Sequence, residues 1–285
     1  MMRPCRFVCV SFVSFVVCVL LVPAAARGQL AAPNANGIAL GHVHINATDI
    51  GAQSQFWTKL GGTVVQREKL TMVQFPGVYI ILRGQDPTGG SMGSALHHIG
   101  FHVKDFKGSV AKWQAAGLPW EPVTTNPAVG QGFMTGPDGV RVEIYEDATI
   151  GPPMQMHHVH LFVPDPKAAQ AWYVQHFAAV AGRRVGGVAV VRTYFDTAVV
   201  PGAEITLTKA ADPPVPTKGR AYDHIGFEVR DIDAVVARLR AAGLTFDGPV
   251  RNSASTSGLR IVYLTDPWGT EIELTEGLIS TPLAR

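Results

Sequence analysis

Histidines recur in this chain at one fixed spacing. His42, His98, His158 and His224 each stand seven residues before an aspartate, namely Asp49, Asp105, Asp165 and Asp231. Two glutamates also share a setting. Glu143 and Glu273 each fall six residues after the proline of a Pro-x-Gly turn, Pro137-Asp138-Gly139 and Pro267-Trp268-Gly269, inside an apolar run. Imidazole and carboxylate are ligands that divalent ions accept without thiolates. Two histidines and one carboxylate hold an ion on one side and leave its other positions open to water, substrate or oxygen. The matching place is Ile81 in the first quarter of the chain and Thr206 in the third.

The elements that must carry these residues are repeated. Leu96-His97-His98-Ile99-Gly100-Phe101 returns as Tyr222-Asp223-His224-Ile225-Gly226-Phe227, and Ala115-Ala116-Gly117-Leu118 as Ala241-Ala242-Gly243-Leu244. A weaker echo links Gly41-His42-Val43-His44 with His157-His158-Val159-His160. Repeats fix an architecture before any single element does. Alternating short runs, a helix-period run closed by glycine, and turn residues between the rest read as β-α-β-β-β in each quarter. The fold class is therefore α+β, with four βαβββ modules. The Gly151-Pro152-Pro153 stretch is the best boundary, giving domains over 38–148 and 155–278.

Side chains alternate between the faces of a strand. His42 shares a face with His44, His158 with His160, His98 with His102, and His224 with Glu228. Each half thus offers two leading histidines and one glutamate: His42, His98 and Glu143, then His158, His224 and Glu273. His44, His160 and Glu228 are candidates for moving protons beside the ion. His97 and His157 are expected on the opposite face, as packing or surface residues. The aromatic pairs Phe56-Trp57 and Trp172-Tyr173 are expected to pack helices onto sheets.

Composition narrows the setting. The net charge of +2 is accounted for by Arg3 and Arg6, and no basic stripe points to nucleic acid. Those two arginines precede an apolar run from Phe7 to Val22, then Pro23 and Ala24-Ala25-Ala26. This is the order of a cleaved secretory signal peptide, expected over residues 1–26, so export to a periplasm or medium is expected and no membrane partner after removal. Cys5, Cys9 and Cys18 all lie in that segment, so the processed chain would have neither disulfides nor a thiol nucleophile.

The His-x₆-Asp openings, the aromatic pairs and the Gly-Pro-Asp-Gly-(x₃)-Glu143 and Asp-Pro-Trp-Gly-(x₃)-Glu273 endings together resemble the vicinal oxygen chelate superfamily. That superfamily includes glyoxalase I, bleomycin-resistance proteins and extradiol dioxygenases. The resemblance implies that modules pair into two glyoxalase-like domains, each a cupped mixed sheet holding a divalent ion (Fe, Mn, Zn or Ni). It implies His42, His98, Glu143, His158, His224 and Glu273 as ligands, with Ile81 or Thr206 where glyoxalase-like sites have a fourth. Tyr263 matches the tyrosine that positions substrate in extradiol dioxygenases, which favours the second half as the active one. The implied activity is that of a dioxygenase, or a lyase or isomerase, on a small oxygen-chelating substrate. A metal-free binding protein of the bleomycin-resistance type is the alternative. Cup-forming modules can also pair between chains, so a homodimer is compatible with the pattern.

Overall fold

A computed structural model describes residues 30–124, 130–186 and 193–278. The signal segment expected over residues 1–26 lies outside them. Among the described residues, no helix is long and apolar enough to cross a membrane.

The four modules match the repeat. Module I is β1 (Ile38–Ala47), α1 (Ile50–Leu60), β2 (Thr63–Arg67), β3 (Leu70–Phe75) and β4 (Val78–Gly84). Module II is β5 (Leu96–Val103), α2 (Phe106–Ala115), β6 (Glu121–Pro122), β7 (Gln131–Thr135) and β8 (Arg141–Glu146). Module III is β9 (Met154–Val163), α3 (Pro166–Phe177), β10 (Val180–Gly186), β11 (Thr193–Val200) and β12 (Ala203–Lys209). Module IV is β13 (Tyr222–Val229), α4 (Ile232–Ala241), β14 (Arg251–Asn252), β15 (Arg260–Thr265) and β16 (Glu271–Glu276).

The His-x₆-Asp spacing has a simple cause. The histidine lies in the first strand and the aspartate is the N-cap of the next helix. Asp49, Asp105, Asp165 and Asp231 each accept backbone N–H groups from the first helical turn through their side chains. A capped first turn fixes where each strand must end, since an N-cap carboxylate satisfies donors the helix leaves open.

Two mixed sheets result, each of eight strands. Sheet 1 runs β14-β15-β16-β13-β1-β4-β3-β2, and sheet 2 runs β10-β11-β12-β9-β5-β8-β7-β6. Within a module the first and last strands are parallel neighbours. The first strands of two modules then pair antiparallel, β1 with β13 and β5 with β9. Sheet 1 is therefore built by modules I and IV, and sheet 2 by modules II and III. This corrects the sequential pairing expected within 38–148 and 155–278. The four first strands look alike, so their pattern does not say which joins which. The link over 147–153 settles one joint: Asp147 N–H donates to Val103 O and Lys104 N–H to Pro153 O, which lays β9 directly along β5.

Sequential modules still meet, through side chains rather than strand pairing. The Gln53 amide of α1 donates to Pro137 O at 2.9 Å in the turn of module II. In the other half Tyr173 of α3 donates its hydroxyl to Asp266 Oδ2 at 2.8 Å in the turn of module IV. Phe75 and Phe101 meet at 4.8 Å between ring centres, as do Phe177 and Phe227. The aromatic pairs thus do pack helices against sheets, with Trp57 and Tyr173 fully buried.

Tyr173→Phe would leave Asp266 without its side-chain donor in a buried turn. We expect a loss of about 1–3 kcal/mol, read as a lower unfolding midpoint in denaturant.

Candidate metal centres in two cups

Each joint between first strands carries two bulges, and their placement creates the sites. In sheet 1 the register slips at Gly41 between Leu40 and His42, and at Asp223 between Tyr222 and His224. In sheet 2 it slips at His97 between Leu96 and His98, and at His157 between Met156 and His158. All four extra residues stand immediately before a leading histidine. A bulge places two residues against one and re-aims the side chains beyond it. Leu40 and Leu96 consequently pack in the core between the sheets, while His42 and His98 turn into the cups.

The bulge residues do not point away, as simple alternation predicts. His97 Nδ1 lies 2.7 Å from His98 Nδ1, and His157 Nδ1 lies 2.8 Å from His158 Nδ1. Asp223 Oδ1 is 2.6 Å from His224 Nδ1. Three of the four leading imidazoles are therefore oriented from behind by the residue before them. Gly41 offers His42 no such partner.

Across each joint a histidine faces a glycine. His42 pairs with Gly226 and His158 with Gly100. A Cβ on either glycine would fall inside the imidazole opposite. The repeated His-Ile-Gly-Phe is thus a close-approach requirement for the strand opposite.

Two clusters converge. In cup 1, donor atoms of His42, His44, His224 and Glu273 lie within 4.8 Å of one another. Glu273 Oε2 is 2.9 Å from His42 Nε2 and 3.1 Å from His224 Nε2, and Glu273 Oε1 accepts the Tyr263 hydroxyl at 2.6 Å. In cup 2, donor atoms of His98, Glu143, His158 and His160 meet the same limit. Glu143 Oε2 is 2.9 Å from His98 Nε2 and 3.3 Å from His158 Nε2. His160 Nδ1 lies 3.0 Å from His98 Nε2, and its Nε2 lies 2.7 Å from Thr208 Oγ1.

All six residues expected as ligands are thus in the clusters, but in exchanged groups. His42 joins His224 and Glu273, and His98 joins His158 and Glu143, because modules pair I with IV and II with III. His44 and His160, expected to move protons, have donor atoms in the same clusters. Ile81 and Thr206 pair with His44 and His160 on the neighbouring strands. Thr206 is engaged with Glu204 and Arg184, so neither place offers a free ligand.

Glu228 is in neither cluster. Its carboxylate accepts the N–H groups of Gly277 and Leu278 and the Thr275 hydroxyl, which corrects its expected part in proton transfer. Tyr263 is beside Glu273 in cup 1 as expected. Its counterpart in cup 2 is Phe133, and there Gln131 supplies the hydrogen bond to the glutamate, at 2.8 Å to Glu143 Oε1. Gln131 was not singled out in the sequence. The available signal was its place two residues before Phe133, on the same strand face.

The electrostatics suit a cation in both cups. Burial opposes ionisation of Glu273 and Glu143, but the adjacent imidazoles outweigh it and hold both carboxyls well below the usual carboxylate range. Burial lowers His158 to about 4 and depresses His160, so both are neutral and able to coordinate. His224 is buried too, yet hydrogen bonds to Asp223 and Glu273 raise it to about 9. That preference for a proton reflects a demand for positive charge beside the two buried carboxylates, which a divalent ion on neutral His224 would meet in the proton's place. The nitrogens of His42 and His44 are buried without hydrogen-bond partners; the 2.9 Å approach of His42 to Glu273 lacks hydrogen-bond geometry. Orphaned imidazole nitrogens around an anionic oxygen fit a divalent ion.

The cups differ in their walls. Around cup 2, Phe133, Tyr145, Phe162 and Phe195 from four strands are half-buried and ring the cluster, with Arg184 beside Tyr145. His157 stacks on His102 at 3.9 Å at its rim. Around cup 1 the facing residues are buried almost throughout, Tyr263 and Arg83 being half-buried.

Paired βαβββ modules around converging imidazoles and a carboxylate define a class of metal-cup proteins. The model of the Glyoxalase/Bleomycin resistance protein/Dioxygenase superfamily matches residues 39–144 and again 155–274. The chain belongs to this superfamily. Glyoxalase I from Zea mays is similar in fold, at 16% identity and TM-score 0.63, covering 85% of this chain and 94% of that one. A Bacillus subtilis protein described provisionally as a dioxygenase is also similar, at 13% identity and TM-score 0.59, covering 87% and 86%. Among curated proteins, none matches the sequence.

Gly100→Ala and Gly226→Ala should each displace one histidine without removing a ligand. We expect metal affinity at the affected cup to fall by roughly 10–100-fold, as for other changes that misorient a ligand. Titration with Co(II), tracked by its visible spectrum, measures this.

Proposed function

We propose that this chain is a divalent-metal-dependent enzyme that works in cup 2 on a small substrate with adjacent oxygens. The observation that carries the reading is a buried His98–Glu143–His158 set under walls that solvent reaches. Cup 1 has an equal ligand set, but fewer of the described residues in its walls are half-buried, Tyr263 and Arg83 among them. This moves the active centre from the Tyr263 side, which the sequence favoured, to the joint of modules II and III.

The ion held by these residues would act as a Lewis acid on chelating oxygens or bring oxygen to the substrate. The chain supplies the rest. His98, His158 and Glu143 fix the ion from one side, and His97 and His157 orient the two imidazoles from behind. His160 stands beside the centre as a neutral imidazole held by Thr208, placed to take a proton from substrate. Phe133, Phe162 and Phe195 exclude water and suit a flat carbon skeleton. Arg184 and Tyr145 form a hydrogen-bonding edge for a substrate oxygen. Both cups are completed within one chain, so no second copy is needed to finish either. Export through the leader is part of the proposal, since the processed chain carries no cysteine to protect.

Metal analysis of the purified protein beside His158→Ala and His42→Ala tests this. His158→Ala should lose one equivalent and all turnover, whereas His42→Ala should lose metal and keep turnover. Fe or Mn would direct assays to oxygen uptake with vicinal diols, and Zn or Ni to isomerase and lyase substrates. A protein that carries no metal and takes up none would instead be a binding protein.

A further inference from the structure

A small apolar cluster lies on the cup 1 side of sheet 1. Leu278 is 1% exposed and packs with Leu30, Met72, Tyr79, Ile81 and Ile261 in an apolar cluster separate from the main core. These residues come from β3, β4, β15 and both ends of the described chain, and they reach the donors through Ile81, which pairs with His44, and through Tyr263, which packs on the cluster and donates to Glu273. The turn that carries Leu278 is clamped from two sides. Glu228 Oε1 accepts the N–H groups of Gly277 and Leu278 at 3.0 Å each. Arg67, itself 5% exposed, donates to Gly277 O at 2.8 Å, with Leu278 O at 3.4 Å and Ser257 O at 3.0 Å. Gly277 has φ of 102°, and a Cβ there would meet the Gly258 carbonyl, so only glycine makes this inward turn.

Among the described residues, cup 2 has the same frame without the plug. Counting along the ladders, Arg184 of β10 occupies the place of Arg67 of β2. Arg184 is instead held by Glu204 at 2.7 Å and Thr206 at 3.1 Å, against the wall. His102 stands 126 residues before Glu228 and is half-buried at the rim. After β8 the chain leaves along β5 into the link to β9, so no tail turns inward.

We propose that the Gly277-Leu278 turn, clamped by Glu228 and Arg67, is a built-in plug that makes His42, His44, His224 and Glu273 a sealed structural metal site. It holds the I–IV joint of sheet 1 and admits neither substrate nor chelator. The inference rests on both clusters binding metal, as in the functional reading, but makes a separate claim about cup 1. Glu228 and Arg67 act on the site only through the turn they position.

The test uses the full-length protein loaded with Co(II) and challenged with EDTA, metal release being monitored by the visible spectrum. Two phases are expected, the fast one missing in His158→Ala and the slow one in His42→Ala. Leu278→Ala and Glu228→Gln should each abolish the slow phase, so that both equivalents leave together. Acetohydroxamate should perturb the cup 2 spectrum in the native protein, and the cup 1 spectrum only in the plug variants. Circular dichroism checks that each variant is folded; if Glu228→Gln is not, Leu278→Ala decides. Equal release rates in the native protein would overturn the plug, as would a slow phase untouched by a folded Leu278→Ala. Binding of a single equivalent, lost in His158→Ala, would overturn it and leave the functional reading of cup 2 standing.

Discussion

Everything in this fold depends on how closely two first strands can approach. A histidine from one strand must enter the space above a glycine of the other, and both must sit beside a glutamate from the parallel neighbour. His42 over Gly226 and His158 over Gly100 meet that requirement, with Glu273 and Glu143 one ladder step away. The bulge before each histidine lets one strand serve two purposes. Its apolar residues stay in the core between the sheets, and its imidazoles turn to the other side. Without the bulge, Leu40 and His42 would share a face, and either the core or the site would lose its residues.

Much of this was legible in the sequence. Four modules, the leading histidines and the two glutamates can all be read from spacing, because periodicity is a local property. The grouping of ligands was not legible. Which first strand joins which is a long-range choice among near-identical strands, and His98 looks as ready to meet His42 as to meet His158. The bulges were also hidden. Strict alternation sends His97 and His157 to the far face, and a single inserted residue reverses that. Glu228 misled for a related reason: it lies on the cup face, as alternation says, but its carboxylate is occupied by a turn whose inward course no local pattern announces.

The two cups show how similar frames acquire different characters from the segments that leave them. The last strand of module II continues into a link that runs away along β5. The last strand of module IV ends in a glycine that bends inward. A few residues beyond the same strand therefore decide whether the bowl meets solvent or a leucine. The arginines at matching ladder positions differ accordingly, Arg67 gripping the turn and Arg184 lying against Glu204. Burial of the donors alone does not separate the cups; the walls above them do.

The exchanged sheets carry a consequence for ancestry. Modules I and III resemble each other, as do II and IV, so the chain reads as one half-length unit written twice. Two separate copies of such a unit could assemble the same pair of bowls by trading modules, each bowl taking its first module from one copy and its second from the other. Symmetry would then force the two bowls to be identical, and a change at either would appear at both. Fusion into one polypeptide removes that symmetry. It leaves the two bowls free to differ, as their walls do here, a divergence that no homodimer of the half-length unit could reach.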